Sequence, residues 1–398
     1  MVRGGWGIFY GLGNQQGAQG TLGFPYGRSK TLFGADCGCG GNYTYPISPA
    51  DAAPIPFTLN PPYGFVFAFD PHLRDPRVYQ WNTTVEQSLG SPRILQLSYV
   101  GNKGDKLLRR NMLTPAMGGN ANFSYLDVVT NDAWSNYNAL QMQFKQRPWH
   151  GLQALASYTW SHAIDNGSSV NLPNPYTNVY KPNWDRGNSE FDMRHSFSGA
   201  ISYEVPGRQG ASRLVGALTN GWAFDSLFRS NTAVPVNIST GVFAFGLIWN
   251  TDATNQRPNI VPGQPFYLYG SQYPGGKRIN PAAFVTPSDA FTQGNLPRNL
   301  LRGFGAWQED LAVRRTFKVT ERFSLLFRVE AFNIFNHSNF GDPGAQSDGA
   351  NHTNSASFGL STQVLANSLG TGGADGGFSS LYQIGGPRSL QFALKLQF

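Results

Sequence analysis

The segment LQFALKLQF, Leu390–Phe398, places Leu390, Phe392, Leu394, Leu396 and Phe398 on one parity and Gln391, Ala393, Lys395 and Gln397 on the other. An apolar–polar period of two predicts a β-strand, and its persistence to the last residue predicts a terminus held in a sheet, because free termini fray. The same period recurs at about Val2–Gly11, Tyr79–Leu89, Arg93–Asn102, Asn136–Arg147 and Leu152–Ala163. It returns at about Arg194–Val205, Gly221–Pro235, Gly305–Phe317, Arg322–Phe335 and Ser389–Phe398. Most of these ten segments exceed the ~5–6 residues usual for soluble strands. They match the ~9–11 residues a tilted strand needs to cross a bilayer.

The two faces differ in kind. In NALQMQFKQR, Leu140, Met142 and Phe144 oppose Gln141, Gln143 and Lys145. In ERFSLLFRVEAF, Phe323, Leu325, Phe327, Val329 and Ala331 oppose Ser324, Leu326, Arg328, Glu330 and Phe332. Charged and amide side chains in mid-strand suit a wet lumen rather than the packed interior of a sandwich. The connections alternate in length. Short or moderate links fall at Gly90–Pro92, Pro148–Gly151, Pro206–Asn220 and Lys318–Glu321, and long ones at about Leu12–Val78, Lys103–Ser135, Ile164–Met193, Val236–Arg302 and Asn336–Arg388. Short turns on one side and long loops on the other mark an up-and-down barrel in an outer membrane. The predicted fold is therefore all-β: an antiparallel up-and-down transmembrane β-barrel domain over residues 1–398, with about ten strands. Trp6, Tyr10, Trp81, Tyr137, Tyr158, Trp160, Tyr203, Trp222, Trp307 and Phe335 gather near strand ends, as an interfacial aromatic girdle requires. The environment implied is outer-membrane lipid and lipopolysaccharide.

Composition supports this picture. Aromatics make up 14% and charged residues only 13%, about half the usual ~25%, which opposes disorder. The formal charge of +7 is spread along the chain without a polybasic block, so no nucleic-acid partner is indicated. Cys37 and Cys39 match no zinc spacing; an incidental loop pair, a bridge and a metal site stay open. MVRGGWGIFYGLG at the start reads as strand, not as a signal peptide.

Catalytic and cofactor signals are weak. His72, His150, His162, His195, His337 and His352 are dispersed and form no metal-ligand pair. Ser161, His162 and Asp165 hold the residue types of a hydrolytic triad, but a triad is a matter of geometry, not of adjacency. Val128–Asn138 and Ser347–Ser357 are rich in Asp, Asn and Gly and read as turns before they read as calcium loops. Asn255–Tyr267 reads as a proline-stiffened loop or a ligand contact. No catalysis and no cofactor are expected. If solute crosses, the inward-facing candidates are Gln141, Gln143, Lys145, Asp225, Arg229, Asp310, Arg314, Arg328, Glu330 and Lys395, whose mixed charge would set selectivity or bind a plug.

Six segments in chain order resemble the Oar-like TonB-dependent receptors: RGGWGIFYG (Arg3–Gly11), YVGNKGDKLLR (Tyr99–Arg109), YNALQMQFKQR (Tyr137–Arg147), ASYTWSHAIDN (Ala156–Asn166), FDMRHSFSGAISYEVP (Phe191–Pro206) and RVEAFNIFNHSNFGDP (Arg328–Pro343). The resemblance implies a barrel of about twenty-two strands with an N-terminal plug, energised through TonB. Plug, TonB box and signal peptide find no counterpart in the sequence, so the chain is expected to be the C-terminal half of such a barrel, and the TonB complex a partner only of a longer protein. The row Leu390, Phe392, Leu394, Leu396 and Phe398 resembles the terminal signal read by the outer-membrane assembly machinery. The implied function is uptake of a bulky solute. A stand-alone small porin or surface-binding barrel, and a secreted soluble carbohydrate-binding β protein, are the alternatives.

Overall fold

A computed structural model describes residues 1–11, 25, 46–53, 60–64, 66–113, 115, 119–168, 182–207, 215–216, 219–241, 256–288, 292–320, 322–344, 349–368 and 385–398. Ten long strands follow one another in a single antiparallel sheet: β1 (Val2–Tyr10), β2 (Arg77–Ser88), β3 (Arg93–Leu113), β4 (Leu126–Trp149), β5 (Leu152–Asp165), β6 (His195–Glu204), β7 (Trp222–Asn231), β8 (Ala306–Lys318), β9 (Ser324–Phe332) and β10 (Ser389–Gln397). Each pairs with its neighbours in sequence order. Among the described residues the outer edges of β1 and β10 carry no partner strand. All ten predicted segments are strands.

The hairpin β3–β4 departs from expectation. The stretch Lys103–Ser135 reads in sequence as a long loop, yet pairing continues through Arg109↔Thr130 to Leu113↔Leu126. One register shift between Gly104 and Leu107, and another between Leu107 and Arg109, interrupt the period; such bulges re-aim side chains and hide the alternation. Val128–Asn138 is likewise strand rather than turn or calcium loop. Its polar side chains are spent on bonds across and beyond the hairpin: Asn131 Nδ2 donates to Lys106 O on β3 (2.7 Å) and to Arg74 O ahead of β2 (2.8 Å), and Thr130 Oγ1 accepts from Asn111 Nδ2 on β3 (3.1 Å). A short strand, Val66–Phe69, joins this extension in parallel. At 24 residues β4 is far longer than the 10 of β6, so the wall rises unevenly beyond the ~30 Å of a bilayer's hydrocarbon.

Among the described residues the buried apolar cluster lies in the loops, not in the wall. Val236, Ile238, Ile279, Ala283, Phe284, Leu296, Leu301 and Phe358 form it, with Ile260, Phe266 and Tyr267 packed alongside. These come from the β7–β8 and β9–β10 connections. Two-stranded ladders brace the cluster: Pro235–Val236 with Leu301–Arg302, Asn259–Ile260 with Phe284–Val285, and Tyr267–Tyr269 with Lys277–Ile279. The β9–β10 connection enters through Phe358, which meets Phe284 edge-on at 5.8 Å. Gly359 follows with φ +75°, where a Cβ would sit 2.4 Å from Ile279 O; only glycine allows that approach. This cap is a small folded unit on the long-loop end of the sheet. Cys37, Cys39 and Asn255 lie outside the described residues.

Candidate solute path and cap

Strand pairing decides which side chains share a face, because directly paired residues point the same way. Starting from Gln143, the register runs through Ser157 on β5, and separately from Gln153 on β5 through Ser202 on β6 to Asp225 on β7. Asp225 pairs with Ala312 on β8, Ala312 with Glu330 on β9, and Glu330 with Gln391 on β10. Since parity repeats every two residues, Gln141, Gln143, Lys145, Asp225, Arg229, Asp310, Arg314, Arg328, Glu330 and Lys395 all fall on one face. The opposite face carries Leu97, Leu140, Met142, Ile201, Phe224, Leu311, Phe327, Leu394 and Leu396, each exposed. Phe392 on this face is 67% exposed and Phe398 at the chain end 95%. A continuous apolar face of this extent would aggregate in water.

The polar face is knit by charge. Arg314 Nε donates to Asp225 Oδ2 at 3.1 Å, while its Nη2 reaches Ser202 Oγ at 3.1 Å and Glu204 at 3.4 Å. Arg328 pairs with Glu330 at 2.7 Å, and Gln308 Nε2 donates to Asp310 Oδ1 at 2.7 Å. Four of the expected residues, Asp225, Asp310, Arg328 and Glu330, line one recess of ≈ 420 Å³ with Gln153 and Ser202. Gln143 stands apart from them beside Ser157 (3.5 Å). Gln141 and Lys145 share its strand, Arg229 faces Gln308 in register, and Lys395 faces Leu326.

At the long-loop end a second set of charges, invisible to spacing in the sequence, ties the cap to the wall. Asp185, from the 3₁₀ turn Pro182–Asp185, accepts from Arg109 on β3 and from Arg257 in the β7–β8 connection, each at 2.6 Å. Arg298 binds Asp165 at the end of β5 (2.5 Å) and Ser168 Oγ (2.8 Å). Arg302 donates to both the side chain and the carbonyl of Asp192, and to Ala233 O. Burial disfavours the Asp192 carboxylate, but bonds from the Ala163 N–H, His162 and Arg302 outweigh it and hold its pKa below the ordinary value. His162 therefore serves the clamp, at 3.0 Å from Asp192, while Ser161 Oγ donates to Met193 O. No Ser161–His162–Asp165 triad is assembled. Partners in these pairs stand up to 133 positions apart, and no local motif announces them.

Inside the cap, Lys277 Nζ lies over Phe304 at 4.8 Å and Tyr267 at 5.2 Å, and donates to Gly303 O. Asp342, from the other connection, accepts from Phe304 N at 2.5 Å. Burial pushes the Asp342 carboxyl up to about 6, against the Phe304 hydrogen bond and the charge of Lys277, and burial lowers Lys277.

An antiparallel meander of long strands, apolar on one face and charged on the other, with short turns at one end and a folded cap at the other, defines the wall of a membrane β-barrel. The chain belongs to the outer membrane beta barrel domain family, whose model matches residues 1–371, and it resides in the outer membrane. Among solved structures it is similar to the outer membrane transporter YddB from Escherichia coli (11% identity, TM-score 0.46, 84% of this chain and 34% of that one). It is also similar to the ferripyoverdine receptor of the outer membrane of Pseudomonas aeruginosa (12% identity, TM-score 0.40, 82% and 27%). The chain thus spans about a third or less of the length of these two proteins. No curated protein matches it.

Proposed function

We propose that the ten strands are the C-terminal part of an Oar-like TonB-dependent receptor barrel, that the polar face lines the path of a bulky solute, and that the cap meets the solute first. The observation that carries this reading is the single shared face of the ten polar residues, opposite an apolar face suited to lipid. Unpaired edges on β1 and β10 among the described residues favour a larger closed barrel, since backbone groups in hydrocarbon need partners. The mixed charges around Asp225, Arg314, Arg328 and Glu330 select the solute or seat a plug, and coupling to TonB requires a plug. The row ending in Phe398 serves recognition by the assembly machinery.

Cysteine labelling tests the path. With Cys37 and Cys39 replaced by serine, Gln143→Cys and Lys395→Cys are expected to react with a charged, membrane-impermeant thiol reagent about tenfold faster or more than Met142→Cys and Leu394→Cys, because only a hydrated thiol ionises. Equal protection of all four would remove this face from a water-filled path. An immunoblot of native outer membranes against the C-terminal strands tests the receptor reading: a band far larger than 398 residues supports it, and one of that size favours a small porin.

A further inference from the structure

Arg314 and Arg315 are consecutive on β8 and point to opposite faces. Arg314 on the polar face has three protein partners. Arg315 shares the other face with exposed Leu311 and Phe317 and pairs in register with Trp222 on β7 and Phe327 on β9. Its guanidinium lies 4.8 Å from the Trp222 ring centroid and 4.3 Å from that of Phe317. The residue is 9% exposed, and among the described residues its Nε has no hydrogen-bond partner. Among the described residues Arg315 makes no ion pair.

The location gives this arrangement meaning. Arg315 lies three residues before Lys318, where β8 ends in a short turn, and short turns face the periplasm. Gly221, at φ +79°, brings the chain into β7 so closely that a Cβ would sit 2.5 Å from Thr316 O; this seats Trp222 beside Arg315. The rings attract the cation through their faces, but among the described residues no acceptor meets the in-plane N–H donors, five in a fixed fork. A charge at the margin of hydrocarbon is costly unless paired, and the fork fits a phosphate oxygen pair. Exposed Lys318 and Arg322 nearby add positive potential, which attracts anionic lipid. At the same end, Arg93 also lies over a ring, Trp149 at 5.6 Å, but there Nε is satisfied by Gln146 at 2.9 Å. Among the described residues, only at Arg315 does the stacked cation lack a protein acceptor.

We propose that Arg315, held by Trp222 and Phe317, binds the headgroup phosphate of an anionic phospholipid in the periplasmic leaflet. The test uses the full-length protein, extracted from outer membranes and placed in nanodiscs containing spin-labelled phosphatidylglycerol, with the motionally restricted lipid measured by electron paramagnetic resonance. Arg315→Gln is expected to weaken retention of the labelled lipid about threefold or more, as loss of a desolvated cation contact implies. Arg93→Gln, at a stacked cation that Gln146 already satisfies, is expected to retain it, and heat-modifiable gel mobility reports folding. If Arg315→Gln does not fold, Trp222→Leu, which removes the plane that holds the guanidinium, is expected to lower retention in the same direction. Retention unchanged in the folded variants overturns the proposal. Displacement of the labelled lipid by inorganic phosphate would also overturn it, by marking a free-anion site.

Discussion

Asp185→Ala is expected to destabilise the closed cap by about 3–5 kcal/mol, the range for removing one member of a buried ionic cluster. The Asp185 side chain is 2% exposed, and its two partners, Arg109 and Arg257, are 2% and 8% exposed. Without the carboxylate, two guanidinium groups remain in a dry site and the charge that lay between them is gone. Burial, together with the charges of Arg298 and Arg109, already lowers the pKa of Arg257, and Asp185 opposes that shift. Arg257→Met should therefore cost less than Asp185→Ala, because it removes one repelling cation along with the lost pair. Amide hydrogen exchange at Ile279 and Leu296, both buried in the cap, measures its opening free energy. Equal costs for the two variants would mean that repulsion among the arginines is unimportant.

The second large effect depends on pH. The Asp342 carboxyl is raised by burial to about 6 from an ordinary value of 3.8. An acid whose folded pKa is raised holds its proton more tightly in the folded state, so ionisation works against the fold. Its penalty is absent below about pH 4, grows between about pH 4 and 6, and is constant above, reaching about 3 kcal/mol at 1.36 kcal/mol per unit. Asp342→Asn keeps an oxygen for the Phe304 N–H and loses the titration. It is expected to make the cap more stable than the wild type at pH 7–8 by about 3 kcal/mol, with the two converging near pH 4. Asp192 acts in the other direction: its lowered pKa gives stability that is present above the ordinary carboxylate value and lost as pH falls below it. Opening free energies that show no difference between Asp342→Asn and wild type from pH 4 to 8 would refute the assignment.

The wall was legible because hydrocarbon imposes one rule on every residue that crosses it. Leu140, Met142 and Phe144 must alternate with Gln141, Gln143 and Lys145, and pairing carries the same parity from strand to strand. Beyond the membrane that rule lapses. In Gly104–Leu113 the bulges and the adjoining pairs Leu107–Leu108 and Arg109–Arg110 erase the period, so the upper half of the β3–β4 hairpin reads as loop. Asn131 and Asp132 look like turn formers until their cross-hairpin partners, Lys106 and Asn111, are seen. The cap escaped for a different reason. Its apolar residues, from Val236 to Phe358, share no period, and its arginines find their aspartates only through the fold. Arg315 escaped because a charge on the apolar parity reads as a defect unless Trp222 and Phe317 are placed beside it.

The distances spanned by the clamp also imply an order of events. Hairpins such as β4–β5 and β8–β9 join neighbours across turns of a few residues and close early, since short loops forfeit little entropy. Arg298 meets Asp165 across 133 positions, and Arg302 meets Asp192 across 110, so these bonds form only once β5, β6, β7 and β8 stand side by side. Contacts of such long range come late. Closure of the cap is thus a timestamp: protection of Ile279 from exchange would report that the wall beneath it is already complete.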